Sequence, residues 1–381
     1  MPEPALVDLA PLARLLLLAV VLALFPLAWV WLRQPPAAGG SDQAVNALPS
    51  RLRALTALTL FLTFDLIVFG AYTRLSDSGL GCPDWPGCYG QVSPFGARSD
   101  IQAAHSVSPG GPVSWSKAWI EMVHRYLAMT VGMLILVMAA AAWWARKGLP
   151  FSPWWPTATL AWVLVQGLFG KYTVTLKLYP AVVSLHLLGG LLLLVLLAAQ
   201  HEAFKAQAAT PGQRLEGNTR RLAGAAGAVL VVQVALGAWV STNYAVLACT
   251  GFPTCNGQWW PAMDFKLGYT LLRGLGEGGG GRGLTVQALV AIHLAHRLFA
   301  LVALAVLGLL AWRLWYGGQA QRRWGGLLGL LLLVQLASGL SNVVLGWPLV
   351  AALGHSAGAA ALVWVLALLL ARGRLRDALA S

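Results

Sequence analysis

Of the 381 residues, 58% are hydrophobic and only 10% are charged, against about 25% charged in soluble domains. A water-soluble globular protein is therefore excluded, and most of the chain must sit in a bilayer. The net charge of +13 does not point to nucleic acid, because the basic residues cluster in short loops between apolar runs, which is a topology signal.

A spanning helix needs about 20 apolar residues, and nine runs qualify in chain order. The first, 13–33, is too long and hydrophobic for a cleaved signal peptide and has no A-x-A-like site after it. It reads as an extra N-terminal transmembrane helix, with a linker to residue 51. The second, 54–73, carries Asp65 near its middle and ends at Arg74. The loop 74–118 holds Cys82 and Cys88, and the third run, 119–144, holds Glu121, His124 and Arg125. The fourth, 154–174, contains Gln166 and Lys171, and the fifth, 181–200, contains His186. The sixth, 222–242, precedes a loop at 243–284 with Cys249, Cys255 and a glycine-rich stretch, Gly274–Gly283. The seventh, 285–312, contains His293, His296 and Arg297; the eighth is 325–345, and the ninth, 349–371, contains His355.

If the helices alternate, Arg33, Arg51, Arg53, Arg146, Lys147, Lys205, Arg214, Arg220, Arg221, Arg313, Arg322, Arg323, Arg372, Arg374 and Arg376 all fall on one face. That face is the cytoplasm. The N-terminus, with Glu3 and Asp8, and both cysteine loops then lie outside, on the periplasmic side of a bacterial inner membrane. Each cysteine pair has the spacing C-x5-C. On an oxidising face Cys82 with Cys88, and Cys249 with Cys255, read as local disulfides; a redox role for the first pair is the competing reading.

The chain repeats itself. Gly70-Ala-Tyr-Thr-Arg74 parallels Gly237-Ala-Trp-Val-Ser241, and Glu121-Met-Val-His124-Arg125 parallels His293-Leu-Ala-His296-Arg297. Gln166 with Gly170 parallels Gln335 with Gly339, and His186 parallels His355. The fold class expected is therefore an all-α polytopic membrane protein. It comprises two parallel-repeat four-helix bundles, 52–210 and 211–381, plus the extra helix within 1–51.

Five histidines lie inside predicted spans, where titratable groups are costly and usually functional. A single one could be a neutral His bonded across helices. Four of them, His124, His186, His296 and His355, lie one to three turns inside the outer helix end, on the second and fourth helices of each half. Facing histidines in a bundle core hold a haem iron from both sides, so two pairs imply two haem sites. Arg74, Arg125 and Arg297 could pair the haem carboxylates or snorkel to the interface. Glu121 shares a helix face with His124, and its counterpart is His293. This asymmetry suggests that only the first site does chemistry, with an interhelical hydrogen bond by Glu121 as the alternative. On these features alone the candidates are a haem enzyme, a dihaem cytochrome exchanging electrons with quinone, and a parallel-repeat transporter.

The strings GAYTRLSDSGLGCPDWPGCYG (70–90), IEMVHRYLA (120–128), QGLFGKYTVTLKLYPAVVSLHL (166–187), VQVALGAWVSTNYAVLACTGFPTCNGQWWP (232–261) and HLAHRLFA (293–300) resemble the haem A synthase family, CtaA, of the proteobacterial and mitochondrial type. The resemblance covers about residues 52–371. It implies oxidation of the C8 methyl of haem O to a formyl group, giving haem A for cytochrome oxidase. It places substrate haem O between His124 and His186, haem b between His296 and His355, and Glu121 in catalysis. The partners it implies are haem O, the haem O synthase that supplies it, an electron acceptor of unspecified chemistry, the lipid bilayer and a homo-oligomeric copy, with no nucleic acid. The helix 13–33 and the glycine-rich stretch depart from the family pattern.

Overall fold

The computed structural model describes residues 10–33, 41–206, 215, 217–274 and 283–378. Glu3, Asp8, Arg214 and most of the glycine-rich stretch lie outside the described residues. The chain is an all-α polytopic membrane protein. Among the described residues, nine long helices form where the apolar runs lie: α1 (Ala10–Arg33), α2 (Ser41–Leu75), α4 (Trp115–Trp144), α5 (Trp154–Thr175), α6 (Pro180–Ala206), α7 (Gly217–Thr242), α9 (Val286–Trp315), α10 (Gln319–Val344) and α11 (Leu349–Ala378). Two shorter helices, α3 (Arg98–Val107) and α8 (Phe265–Gly268), sit in the cysteine-bearing loops. Eight of the long helices are apolar enough by average hydropathy to cross a membrane. The other, α5, is diluted by Trp, Thr, Gln166 and Lys171, although its 22 residues reach about 33 Å.

The helix ends show why the chain stops and turns where it does. Ser114 caps α4 by accepting from Lys117 N at 3.3 Å, and Thr285 caps α9 by accepting from Ala288 N at 3.2 Å, which satisfies an otherwise orphaned donor. Pro180 opens α6, where its missing N–H costs nothing. The C-termini of α2, α5, α7 and α10 all close with left-handed residues, at Asp77, Lys177, Tyr244 and Gly346. In each, a backbone N–H reaches back five residues: Ser78 to Thr73, Leu178 to Thr173, Ala245 to Val240, and Trp347 to Asn342. This is the Schellman closure; only at residue 346 is a glycine present to adopt it without strain.

In the first half α4 packs on α2 and α5, and α6 packs on the same two helices. In the second half α9 packs on α7 and α10, and α11 packs on those two. Between them α6 lies on α11, α2 on α11 and α6 on α7. Two apolar clusters fill the end away from the cysteine loops. One is built on Leu134, Met138, Leu194 and Leu197, the other on Leu307, Leu310, Leu328 and Leu366. Lipid offers no hydrophobic drive between helices, so this close packing itself contributes the association. Helix α1 lies on α4 and α2, and its fully buried Leu15 joins Cys82, Cys88, Ile101 and Met122 in one cluster. The extra helix therefore covers the first cysteine loop.

Helix α2 starts well before its apolar run, at Ser41. Hydropathy marks only the part that meets lipid, whereas the backbone ladder continues through polar residues for as long as its hydrogen bonds do.

Candidate functional site

The four histidines share one kind of seat, a glycine on the neighbouring helix. A methyl group added at Gly70 would stand 2.9 Å from Cε1 of His124, and one at Gly237 would stand 3.0 Å from Cε1 of His296. At Gly339 it would lie 3.2 Å from His355 Cε1, and at Gly170 3.6 Å from His186 Cε1. The missing side chain lets each ring lie directly against a helix backbone. Gly70→Ala is accordingly expected to push the His124 ring aside and lower product formation at least tenfold, whereas Gly170→Ala, at ordinary contact distance, leaves it near wild type. The haem content and turnover of the two purified variants check this.

His296 and His355 face each other with ring centres 6.5 Å apart and planes at 84°. Two imidazoles bonded to one iron at about 2 Å each hold their ring centres about 6 to 6.5 Å apart, so the spacing suits a single iron between them. His124 and His186 stand on α4 and α6, which pack on the same two helices, and Phe69 stacks beside His124 at 6.4 Å. In all four rings Nε2 makes no hydrogen bond and is not sealed off, whereas Nδ1 of His124 and of His186 is buried with no partner. The donor set, two neutral imidazoles per half with Nε2 turned to open space, fits a haem iron.

The surroundings of Nδ1 differ between the halves. His355 Nδ1 lies 3.0 Å from Ser338 Oγ, and that hydroxyl donates to Val334 O at 2.7 Å. His296 Nδ1 lies 3.2 Å from the Gln233 amide. Gln335 Nε2 donates to the His355 carbonyl at 2.8 Å, while its counterpart Gln166 is buried with both amide atoms unpaired.

Glu121 and His293, the asymmetric pair, turn out to do parallel work beneath the cysteine loops. Cys82 is bonded to Cys88, and Cys249 to Cys255. Glu121 accepts from Cys82 N through Oε2 at 2.8 Å and pairs with Arg125 through Oε1. His293 lies with Nδ1 at 2.9 Å from Ala245 O and accepts from Arg297 Nε through Nε2 at 3.1 Å. Both nitrogens of His293 are thus occupied, which leaves it no lone pair for iron. Arg125 Nη1 donates to Asp84 O at 2.9 Å and Pro86 O at 3.3 Å, and also to Gly87 O. Arg297 Nη1 donates to Gly251 O at 3.0 Å and Thr254 O at 3.4 Å, with Nη2 on Cys249 O.

The three arginines assigned from sequence to haem carboxylates therefore have protein partners. Arg125 and Arg297 clasp the disulfide loops, each filling with N–H donors the carbonyls that a tight loop turns inward. Arg74 donates to Ser241 O at 2.5 Å and stacks on Tyr244 at 4.0 Å, tying the end of α2 to that of α7. Asp65 is half-buried on α2. Sequence reasoning missed the glycine seats, Gln233 and Ser338. A signal for them was present: a glycine stands four residues after Gln166, Gln233 and Gln335 alike.

Residues 53–367 match the family described as cytochrome oxidase assembly protein. The chain belongs to that family. Its matched span holds all four histidines and both cysteine pairs and leaves α1 outside. Relatives named haem A synthase agree with it over most of their length. The protein from Shewanella oneidensis is 38% identical over 317 residues, covering 83% of this chain and 94% of the relative. The protein from Sphingopyxis alaskensis is 30% identical, covering 89% and 96%, and that from Rhizorhabdus wittichii 26% identical, covering 84% and 94%.

Proposed function

We propose that this protein is an oxidoreductase that converts haem O to haem A for cytochrome oxidase by oxidising the C8 methyl group to a formyl group. The observation that carries the reading is a facing pair, His296 with His355, and a second pair, His124 and His186, at the repeated positions in unequal surroundings, within a chain 38% identical to a haem A synthase. The division runs at about residue 210. The half 52–210 takes substrate haem O between His124 and His186, and the half 211–381 keeps haem b between His296 and His355. A bound haem b supplies one-electron redox chemistry. The protein contributes alignment and exclusion of bulk water: the His124 and His186 rings are seated on glycines, and the first disulfide loop is tied down above them by Arg125. Methyl-to-formyl oxidation removes electrons and protons and inserts an oxygen. Glu121, buried three residues before His124 and held by Arg125 and Cys82 N, is the group placed to accept a proton or to stabilise positive charge at the reacting carbon.

The loops lie on the periplasmic face of a bacterial inner membrane, and haem O arrives through the lipid from the haem O synthase that makes it. A porphyrin with an isoprenoid tail is apolar enough to travel that way. The test is expression in a host that makes haem O and no haem A, followed by haem extraction and identification by mass. Haem A or a hydroxylated haem O is expected. Two unmodified haems retained in the purified protein, with neither product present, would instead mark it as a dihaem electron carrier.

A further inference from the structure

The two histidine pairs are not held alike, and the difference is written into aligned positions. Counting four residues back from the glycine seats gives Gln233 before Gly237 and Leu66 before Gly70. Counting one back gives Ser338 before Gly339 and Phe169 before Gly170. In the second half these residues reach Nδ1 of His296 and His355; in the first, Leu66 and Phe169 have no group to offer, and Nδ1 of both histidines is buried without a partner.

A histidine binding iron through Nε2 as a neutral ring carries its proton on Nδ1 and needs an acceptor there. Ser338 Oγ is that acceptor, because its own proton goes to Val334 O at 2.7 Å. The Gln233 amide has its Nε2 toward the ring and leaves Oε1 buried and unpaired. Turning the amide about its last bond exchanges the two atoms and gives Nδ1–H an acceptor, at the loss of the long 3.4 Å bond that Nε2 makes to the His296 carbonyl. Both devices fix the tautomer and the ring angle and make the ligand a stronger donor.

We propose that Gln233 and Ser338 are positioning residues that lock His296 and His355 onto a permanently bound haem, while Leu66 and Phe169 leave His124 and His186 unanchored so that their haem can leave after reaction. The inference rests on the functional reading above and deepens it. A substrate site must release its product, and a ligand ring with no second hydrogen bond gives iron up more readily; outer-sphere partners of metal-bound histidines are worth about 10- to 100-fold in affinity.

The experiment uses purified full-length protein and two readouts that do not depend on turnover, the midpoint potential of the C-terminal haem and the rate of haem transfer to excess apomyoglobin. Ser338→Val and Gln233→Met are expected to raise the potential and to speed haem transfer about 10- to 100-fold. Ser338→Thr, which keeps the hydroxyl, should restore both. Conversely, Phe169→Ser with Leu66→Gln should slow departure of the N-terminal haem, so that product accumulates on the enzyme rather than in the membrane. Should Ser338→Val fail to accumulate, the Ser338→Ala and Phe169→Ser variants carry the same comparison. Unchanged potential and transfer rate in the Ser338 and Gln233 variants, with haem still bound, overturn the inference alone. A His296→Ala variant whose haem content equals that of the wild type overturns the functional reading instead.

Discussion

His186→Ala is expected to abolish haem A formation and to leave one haem per protein, bound through His296 and His355. The two pairs lie on different helices, α4 with α6 and α9 with α11, and each ring has its own glycine seat. Losing one ligand therefore leaves the other half's packing untouched. Outer partners of a metal-bound histidine are already worth about 10- to 100-fold, so loss of the ligand itself should lower product by at least about 100-fold. His355→Ala is expected to give the complementary result, loss of the resident haem with the N-terminal pair intact. Haem-to-protein ratio together with extracted haem identity distinguishes the two variants. Equal loss of both haems in each would mean that the halves do not bind independently.

Arg125→Ala is the substitution expected to destabilise the fold most. Glu121 is 4% exposed and Arg125 9% exposed, and removing one member of a buried ion pair leaves an uncompensated charge, a loss of about 3–5 kcal/mol. The same change also strips the donor from three loop carbonyls. Arg297→Ala removes an equivalent clasp but leaves a neutral His293, so its cost is nearer to an unsatisfied hydrogen bond, about 1–3 kcal/mol. Arg125→Lys should recover little, because a point charge cannot span several carbonyls and a carboxylate. The double variant Glu121→Gln, Arg125→Met removes both charges together and is expected to regain much of the stability without activity. Thermal unfolding in detergent, followed alongside haem A yield, separates the contributions. Equal midpoints for the Arg125 and Arg297 variants would show that the buried charge carries no special cost.

Glu121 shows how far residue pattern carries and where it stops. Its mismatch with His293 is visible in the aligned strings Glu121-Met-Val-His124-Arg125 and His293-Leu-Ala-His296-Arg297. That alignment marks an asymmetric titratable position but does not reveal that both residues accept from the arginine one turn below and both touch loop backbone. Their spacing along the chain places Arg125 and Arg297 directly after His124 and His296, which suits a haem carboxylate or interfacial snorkelling alike. Spacing does not show that they donate to carbonyls of residues 84–87 and 249–254, which come within reach only after each disulfide loop folds back over its helix.

Hydropathy, charge placement and internal repetition by themselves determined the membrane setting, the long helices and the duplicated order of motifs, and they singled out four histidines. These are properties of local spacing, since an apolar run and a 3.6-residue period are complete within a single segment. Tertiary structure alone decided which glycine seats which ring, why α1 lies over the first cysteine loop, and where Arg125 and Arg297 send their donors. It also decided that Nδ1 of His296 and of His355 meets a polar side chain, while Nδ1 of His124 and of His186 is buried without a partner. Each of these depends on a meeting between helices far apart in the chain, within hydrogen-bond reach of about 3 Å, and no spacing along one helix specifies what stands across from it.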